Sequence, residues 1–181
     1  ASDWSSDVCS SDLPAVDPSI PTVVVAGFPN VGKSNLVTVM STAEPEIAPY
    51  PFTTKGVIVG HIQDDWRKYQ IIDTPGLLDR EFEKRNDIEK QAVLALRYLT
   101  DVMLFVIDPS ETCGFSRDVQ EKLLKTVEES FVGVPIIVAE SKCDILKTDD
   151  GRLFFSANLT WEPTESLLTP MTTAPLSWNC G

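Results

Sequence analysis

Short apolar runs and amphipathic stretches alternate along most of this chain. Thr22–Ala26 is an unbroken, largely β-branched run and predicts a buried strand, and Lys33–Ser41 follows with helix-compatible spacing. Glu44 to Thr54 carries Pro45, Pro49 and Pro51 and reads as a loop. Gly56–His61 and Lys68–Ile72 read as strands joined through the turn-like Gln63-Asp64-Asp65. Asp87–Leu99 sets Ile88, Val93, Leu94, Leu96 and Leu99 among charges, the pattern of an amphipathic helix. Val102–Ile107 and Val134–Ala139 are continuous apolar runs that suit central strands covered on both faces, with Gln120–Ser130 as the helix between them. Arg152–Phe155 reads as the last strand. Strands alternating with helices predict an α/β, three-layer sandwich around a mostly parallel sheet, with ligands at the carboxyl ends of strands.

Both ends depart from this rhythm. Residues 2–13, Ser-Asp-Trp-Ser-Ser-Asp-Val-Cys-Ser-Ser-Asp-Leu, have no periodicity and resemble a translated sequencing adapter. Residues 1–13 are therefore read as an artefact or a disordered leader and set aside. Beyond Ala157, Pro163, Pro170 and Pro175 leave room for one helical turn near Glu165–Leu168. A closing helix should follow the last strand, so 158–181 reads as an irregular, truncated or frame-slipped tail with that helix incomplete. Residues 14–157 form the one expected domain, and apolar surface is expected at the uncovered edge.

The 181 residues suffice for a domain with a real core, and 43% hydrophobic content is ordinary for a globular protein. No apolar run is long enough to span a bilayer. The net charge of −12 argues against direct nucleic-acid binding by this segment. Cys9, Cys113, Cys143 and Cys180 lie far apart without a Cys-x-x-Cys pair, which suits a reducing, cytoplasmic setting better than a disulfide framework or zinc site. The lone His61 reads as a solvent-facing imidazole.

Three boxes carry chemistry, in order. Gly27-Phe28-Pro29-Asn30-Val31-Gly32-Lys33-Ser34 fits the phosphate-loop pattern between a strand and a helix, with Asn35 completing the cradle. Its glycines let backbone N–H groups point at phosphate oxygens. Lys33 would reach the terminal phosphates, and the Ser34 hydroxyl would hold magnesium. Asp73-Thr74-Pro75-Gly76 follows an apolar strand, which places Asp73 to hold that magnesium through its water shell and lets Gly76 donate its N–H to the γ-phosphate. Ser141-Lys142-Cys143-Asp144 follows another strand: the Asp144 carboxylate can accept two hydrogen bonds from guanine, which adenine cannot offer, and the lysine stem can lie over the base.

That last box resembles the Asn-Lys-x-Asp box of GTP-binding proteins, with Ser141 in place of an asparagine that braces the phosphate loop. Ser156-Ala157 matches the pair whose backbone touches the guanine carbonyl oxygen in that class. Pro51-Phe52-Thr53-Thr54-Lys55, Asp73-Thr74-Pro75-Gly76-Leu77-Leu78-Asp79 and Asp108-Pro109-Ser110-Glu111-Thr112-Cys113-Gly114 together resemble the nucleolar GTP-binding (Nog) family, on the Obg-like branch of the translation-factor-related P-loop GTPases. The likeness runs from about Pro14 to Ala157, the bulk of the chain.

The resemblance implies a GTP-binding switch that hydrolyses GTP to GDP and phosphate, whose parent protein acts in large ribosomal subunit assembly and binds pre-ribosomal particles. It implies a cytoplasmic location, nucleolar in a eukaryote. Lys33, Gly76, Asn30 and the switch threonine Thr54 would carry catalysis, and Ser34, Thr54 and Asp73 the magnesium. Leu77 stands where many small GTPases keep a water-orienting glutamine, so turnover should be slow without a partner. An asparagine at the place of Asn30 helps related GTPases seat potassium. The alternative is a nucleotide-binding module or decayed fragment without meaningful turnover. An adenine-using P-loop enzyme is disfavoured by Lys142 and Asp144.

Overall fold

A computed structural model of the chain describes residues 16–49, 56–64, 66–79, 87–146, 148 and 152–156. Its strands are β1 (Thr22–Ala26), β2 (Glu46–Ala48), β3 (Val57–Asp64), β4 (Arg67–Asp73), β5 (Val102–Ile107), β6 (Ile136–Glu140) and β7 (Leu153–Phe154). Among the described residues three helices accompany them: α1 (Lys33–Met40), α2 (Asp87–Leu99) and α3 (Arg117–Ser130). The strands form one sheet in the order β2-β3-β4-β1-β5-β6-β7. β1 pairs in parallel with β4 and β5, and the parallel ladder continues through β6 to β7. Only the β2-β3-β4 edge is antiparallel. The expected α/β architecture with a mostly parallel sheet is therefore present.

Burial explains the continuous apolar runs. Val24, Val25 and Ala26 of β1 lie between flanking strands and are fully buried on both faces, and the one polar residue of the strand, buried Thr22, has its hydroxyl hydrogen-bonded to Gln70. Met103, Phe105 and Ile107 of β5 join Leu96 of α2, Leu123 and Val127 of α3, and Phe131 just past the end of α3 in the core. Each such side chain contributes roughly 1.5–3 kcal/mol by leaving water. Along β5 and β6 the cover of one face is thinner. Leu104 is only half-buried, and its register partner Ile137 is 40% exposed.

Several boundaries differ from the expectation. Within the predicted loop 44–54, Glu46–Ala48 forms the edge strand β2, bracketed by Pro45 and Pro49 as an edge position permits. β3 and β4 extend past their apolar parts, because Gln63 pairs with Lys68 and Asp64 with Arg67 in one continuous ladder. α3 starts three residues earlier than the apolar spacing suggests; Ser116 accepts from the Gln120 N–H, and Glu111 accepts from the Arg117 N–H. His61 is exposed on β3, which continues beyond it to Asp64. Cys113 is a buried free thiol and Cys143 is disulfide-bonded, a pairing that sequence spacing does not reveal. The tail 158–181, where the closing helix is expected to be incomplete, lies outside the described residues. Among those described, no helix is long and apolar enough to cross a membrane.

The parallel register brings the strand ends level: Val25 lies opposite Asp73, Ala26 opposite Phe105, and Ile107 opposite Glu140. Loops leaving β1, β4, β5 and β6 therefore open on one rim of the sheet.

Candidate functional site

The loop between β1 and α1 is shaped from below by packing and from above by open space. A Cβ on Gly27, at φ 137, would meet the Val106 carbonyl oxygen at 2.5 Å, so only glycine lets the chain turn this tightly over β5. Val31 and Phe28 are buried and anchor the loop, with Phe28 stacked on Phe115 at 4.2 Å. Pro29 and Asn30 are exposed at its crest, and Asn30 adopts a left-handed φ of 62 that asparagine tolerates well. Gly32 caps α1 at φ 104 with nothing within 4 Å of its would-be Cβ, and no side chain caps the helix. The first-turn N–H groups of α1 are thus offered to a cleft of about 320 Å³ lined by Asn30, Gly32, Lys33, Ser34 and Asn35.

Lys33 is buried beneath this loop, its Nζ donating to the Gly27 and Phe28 carbonyl oxygens at 2.9 Å each. The same ammonium lies 3.2 Å from Asp79 Oδ1, an ion pair without hydrogen-bond alignment. Asp79 Oδ2 accepts the Gly76 N–H at 2.8 Å. One carboxylate therefore engages both the lysine and the glycine amide that the sequence assigns to a terminal phosphate.

Asp73 ends β4 almost fully buried, and Ser34 Oγ donates to its Oδ2 at 2.7 Å. Burial raises the carboxyl above the usual aspartate range, outweighing the Lys33 charge and the Ser34 hydrogen bond. Asp73 Oδ1 and the neighbouring Thr74 Oγ1 are buried with no hydrogen-bond partner. An orphaned buried carboxylate oxygen beside an exposed hydroxyl is a donor set that suits a hard divalent cation such as magnesium. Leu77 is buried in the core, turned away from any role at a water molecule.

The purine end is built where β5 and β6 finish. Ser141 is buried, and both its N–H and its hydroxyl bond the Ile107 carbonyl at 2.8 and 3.2 Å. The short side chain thus braces the end of β5, where the family's asparagine would brace the phosphate loop. Lys142 stands at φ 57, with Nζ 2.6 Å from Asp108 Oδ2 and 2.7 Å from Thr112 Oγ1. Asp144 is exposed, and Ser156 Oγ donates to its Oδ1 at 2.5 Å, so Ser156 acts here through its side chain. Thr54 and Ala157 lie outside the described residues, as does the rest of Pro51–Lys55.

The fold brings into this rim two residues whose roles are not legible in the sequence. Asp79 closes the Asp73–Asp79 box and Asp108 opens the Asp108–Gly114 segment, but nothing in either spacing names the lysine each one meets. Gln120, fully buried on α3, clamps the second segment: it accepts the Asp108 N–H at 2.7 Å and donates to the carbonyls of Asp108 and Phe115 at 2.9 Å each.

Residues 22–142 match the model of a family described as 50S ribosome-binding GTPase. The chain is similar to an uncharacterized protein of Methanocaldococcus jannaschii, 51% identical over 75% of this chain and 37% of that protein. It is also similar to nucleolar GTP-binding protein 1 of Drosophila melanogaster, 44% identical over 77% of this chain and 22% of that protein. The chain thus spans only 22–37% of the length of these relatives. A crystal structure from Plasmodium falciparum, described as a nucleolar GTP-binding protein 1, superposes with a TM-score of 0.68 at 34% identity, covering 79% of this chain and 80% of that one. The G domain of T. maritima FeoB, 22% identical with a TM-score of 0.59 over 76% of this chain and 88% of that chain, shares the fold alone.

Proposed function

We propose a function from a plain premise: the chain belongs to the 50S ribosome-binding GTPase family and, within it, to the nucleolar GTP-binding branch. It is a GTPase domain that binds guanine nucleotide. In our reading Gly27–Asn35 and Lys33 hold the phosphates, Asp144 reads guanine, and the Lys142 stem lies over the base. Ser156 holds Asp144 in place, with Ala157 beside the guanine oxygen. Ser34, Asp73 and Thr54 hold magnesium, which when bound neutralises charge on the phosphates.

The observation that carries the switch reading is the position of Asp79. Its carboxylate already holds an anion's place between Lys33 Nζ and the Gly76 N–H. A γ-phosphate needs those same two donors, so GTP must displace Asp79, and phosphate departure lets it return. The segment following Gly76 is thereby coupled to the nucleotide state. Leu77 offers no group to orient water, so intrinsic turnover is slow and depends on a partner or on potassium seated by Asn30. For the longer parent protein we propose action on pre-ribosomal particles during large-subunit assembly, nucleolar in a eukaryote and cytoplasmic elsewhere. This acidic domain serves there as the timer, and other segments make the RNA contact.

Displacement of a labelled guanine nucleotide tests the binding: GTP and GDP compete and ATP does not. Single-turnover phosphate release in potassium and in sodium then tests the switch. A potassium-stimulated rate lost in Asn30→Ala supports it. Binding without release in either salt leaves the alternative, a nucleotide-binding module. Folded chain with magnesium that takes up no GDP overturns the reading.

A further inference from the structure

The loop after β5 belongs to neither the phosphate cradle nor the guanine box, yet it touches both. Asp108 starts it, and its side chain is fully buried. The carboxylate collects five donors: Ser110 N–H at 3.0 Å and Ser110 Oγ at 2.5 Å on Oδ1, then Thr112 Oγ1 at 3.1 Å, Cys113 N–H at 2.8 Å and Lys142 Nζ at 2.6 Å on Oδ2. At the far end of the loop, Phe115 stacks on Phe28 of the phosphate loop. Gln120 ties the two ends together by bonding the backbone of both Asp108 and Phe115. Glu111 at φ 58 holds a left-handed conformation inside it, so the loop keeps a shape that a free chain would leave.

We propose that Asp108 is a positioning residue for purine binding: it fixes the Lys142 ammonium at the loop, which presents the lysine stem as a ready platform for the base. This rests on the guanine-binding role of Lys142 given above. Lysine is among the side chains with most rotamer freedom to lose on ordering. Here the loss is taken before the nucleotide arrives, since Nζ is held by both Asp108 Oδ2 and Thr112 Oγ1. Preorganisation of this kind raises affinity without adding a contact to the ligand. The charge is also neutralised by the buried carboxylate, so the stem offers the purine face its methylenes and keeps the ammonium at the edge. Because the same loop stacks on Phe28, it also sets the distance between the base platform and the phosphate grip.

A purely structural clasp would weaken all binding alike, and a double-mutant cycle separates the two roles. GDP and inorganic pyrophosphate are titrated with magnesium into the whole chain as wild type, Asp108→Asn, Lys142→Met and the double variant, with a thermal melt of each. We expect Asp108→Asn to lose about tenfold in GDP affinity when Lys142 is present and less than about twofold in the Lys142→Met background. Pyrophosphate affinity should stay within about twofold throughout; the threshold of tenfold corresponds to about 1.4 kcal/mol. An equal GDP loss in both backgrounds, or a matching loss of pyrophosphate affinity, overturns the proposal. Should Asp108→Asn fail to fold, Thr112→Val removes an exposed hydroxyl that touches Lys142 and leaves the carboxylate in place. A GDP loss of about two- to threefold that disappears in Lys142→Met supports the proposal, and no loss overturns it. Wild-type chain that binds pyrophosphate but not GDP would instead remove the guanine reading beneath it.

Discussion

Replacing Asp79 with alanine should tighten GTP binding, an unusual direction for a substitution inside a binding site. In the described conformation the carboxylate competes for the phosphate's donors through a 3.2 Å ion pair with Lys33 and a 2.8 Å hydrogen bond from the Gly76 amide. Both partners of the ion pair are largely buried, their side chains 7% and 14% exposed, so solvent screening is limited. A hydrogen bond to a charged group contributes roughly 1.5–3 kcal/mol net, and we take the low end because nucleotide entry also admits water. A contact worth about 1.5 kcal/mol leaves only about a tenth of molecules with the donors free, so its removal raises apparent GTP affinity about tenfold. GDP lacks the phosphate that would use the Gly76 N–H, and its affinity should rise no more than about threefold. The free protein should lose the same contact and melt about 3–6 °C lower. Titration of a non-hydrolysable GTP analogue and of GDP, both with magnesium, gives the ratio directly. If Asp79→Ala binds the analogue no better than wild type does, or gains equally for both nucleotides, the displacement mechanism is wrong.

Other substitutions probe the remaining contacts. Asp144→Ala should lower GDP affinity about a hundredfold by leaving the guanine donors unpaired, while Ser156→Ala, which removes the hydroxyl that bonds the carboxylate, should cost about three- to tenfold; competition binding reads both. Asp73→Asn should abolish the magnesium dependence of GTP affinity yet raise the melting temperature of the nucleotide-free chain, because burial disfavours the charged carboxylate there. A lower melting temperature would contradict that reading. The Asp108 case runs oppositely with pH. Burial alone would raise its carboxyl, but hydrogen bonds from Lys142, Ser110, Cys113 and Thr112 more than offset this and hold it below the ordinary 3.8. Its stabilisation is therefore complete above that value and lost as pH falls through the depressed one. The melting gap between wild type and Asp108→Asn should hold from neutral pH down to about 4 and close only below it. A gap already closed at pH 5–6 would refute the assignment.

The order of elements was legible along the chain because hydrophobic periodicity is a local property. β1 and α2 carry the predicted bounds, and the phosphate loop could be recognised from eight consecutive residues since its glycines answer a local steric demand. The strand β2 was not legible. Its three residues have little β-pattern of their own, and they are ordered by pairing with β3. Pairings across the rim were equally hidden. Ser34 meets Asp73 across 39 residues of chain, and Lys142 meets Asp108 across 34. Pattern and motif told which chemical groups the chain possesses and on which elements they ride. Which carboxylate sits on which lysine depends on the parallel register that levels four strand ends, and on burial, which makes an unpaired charge there too costly to leave without its partner.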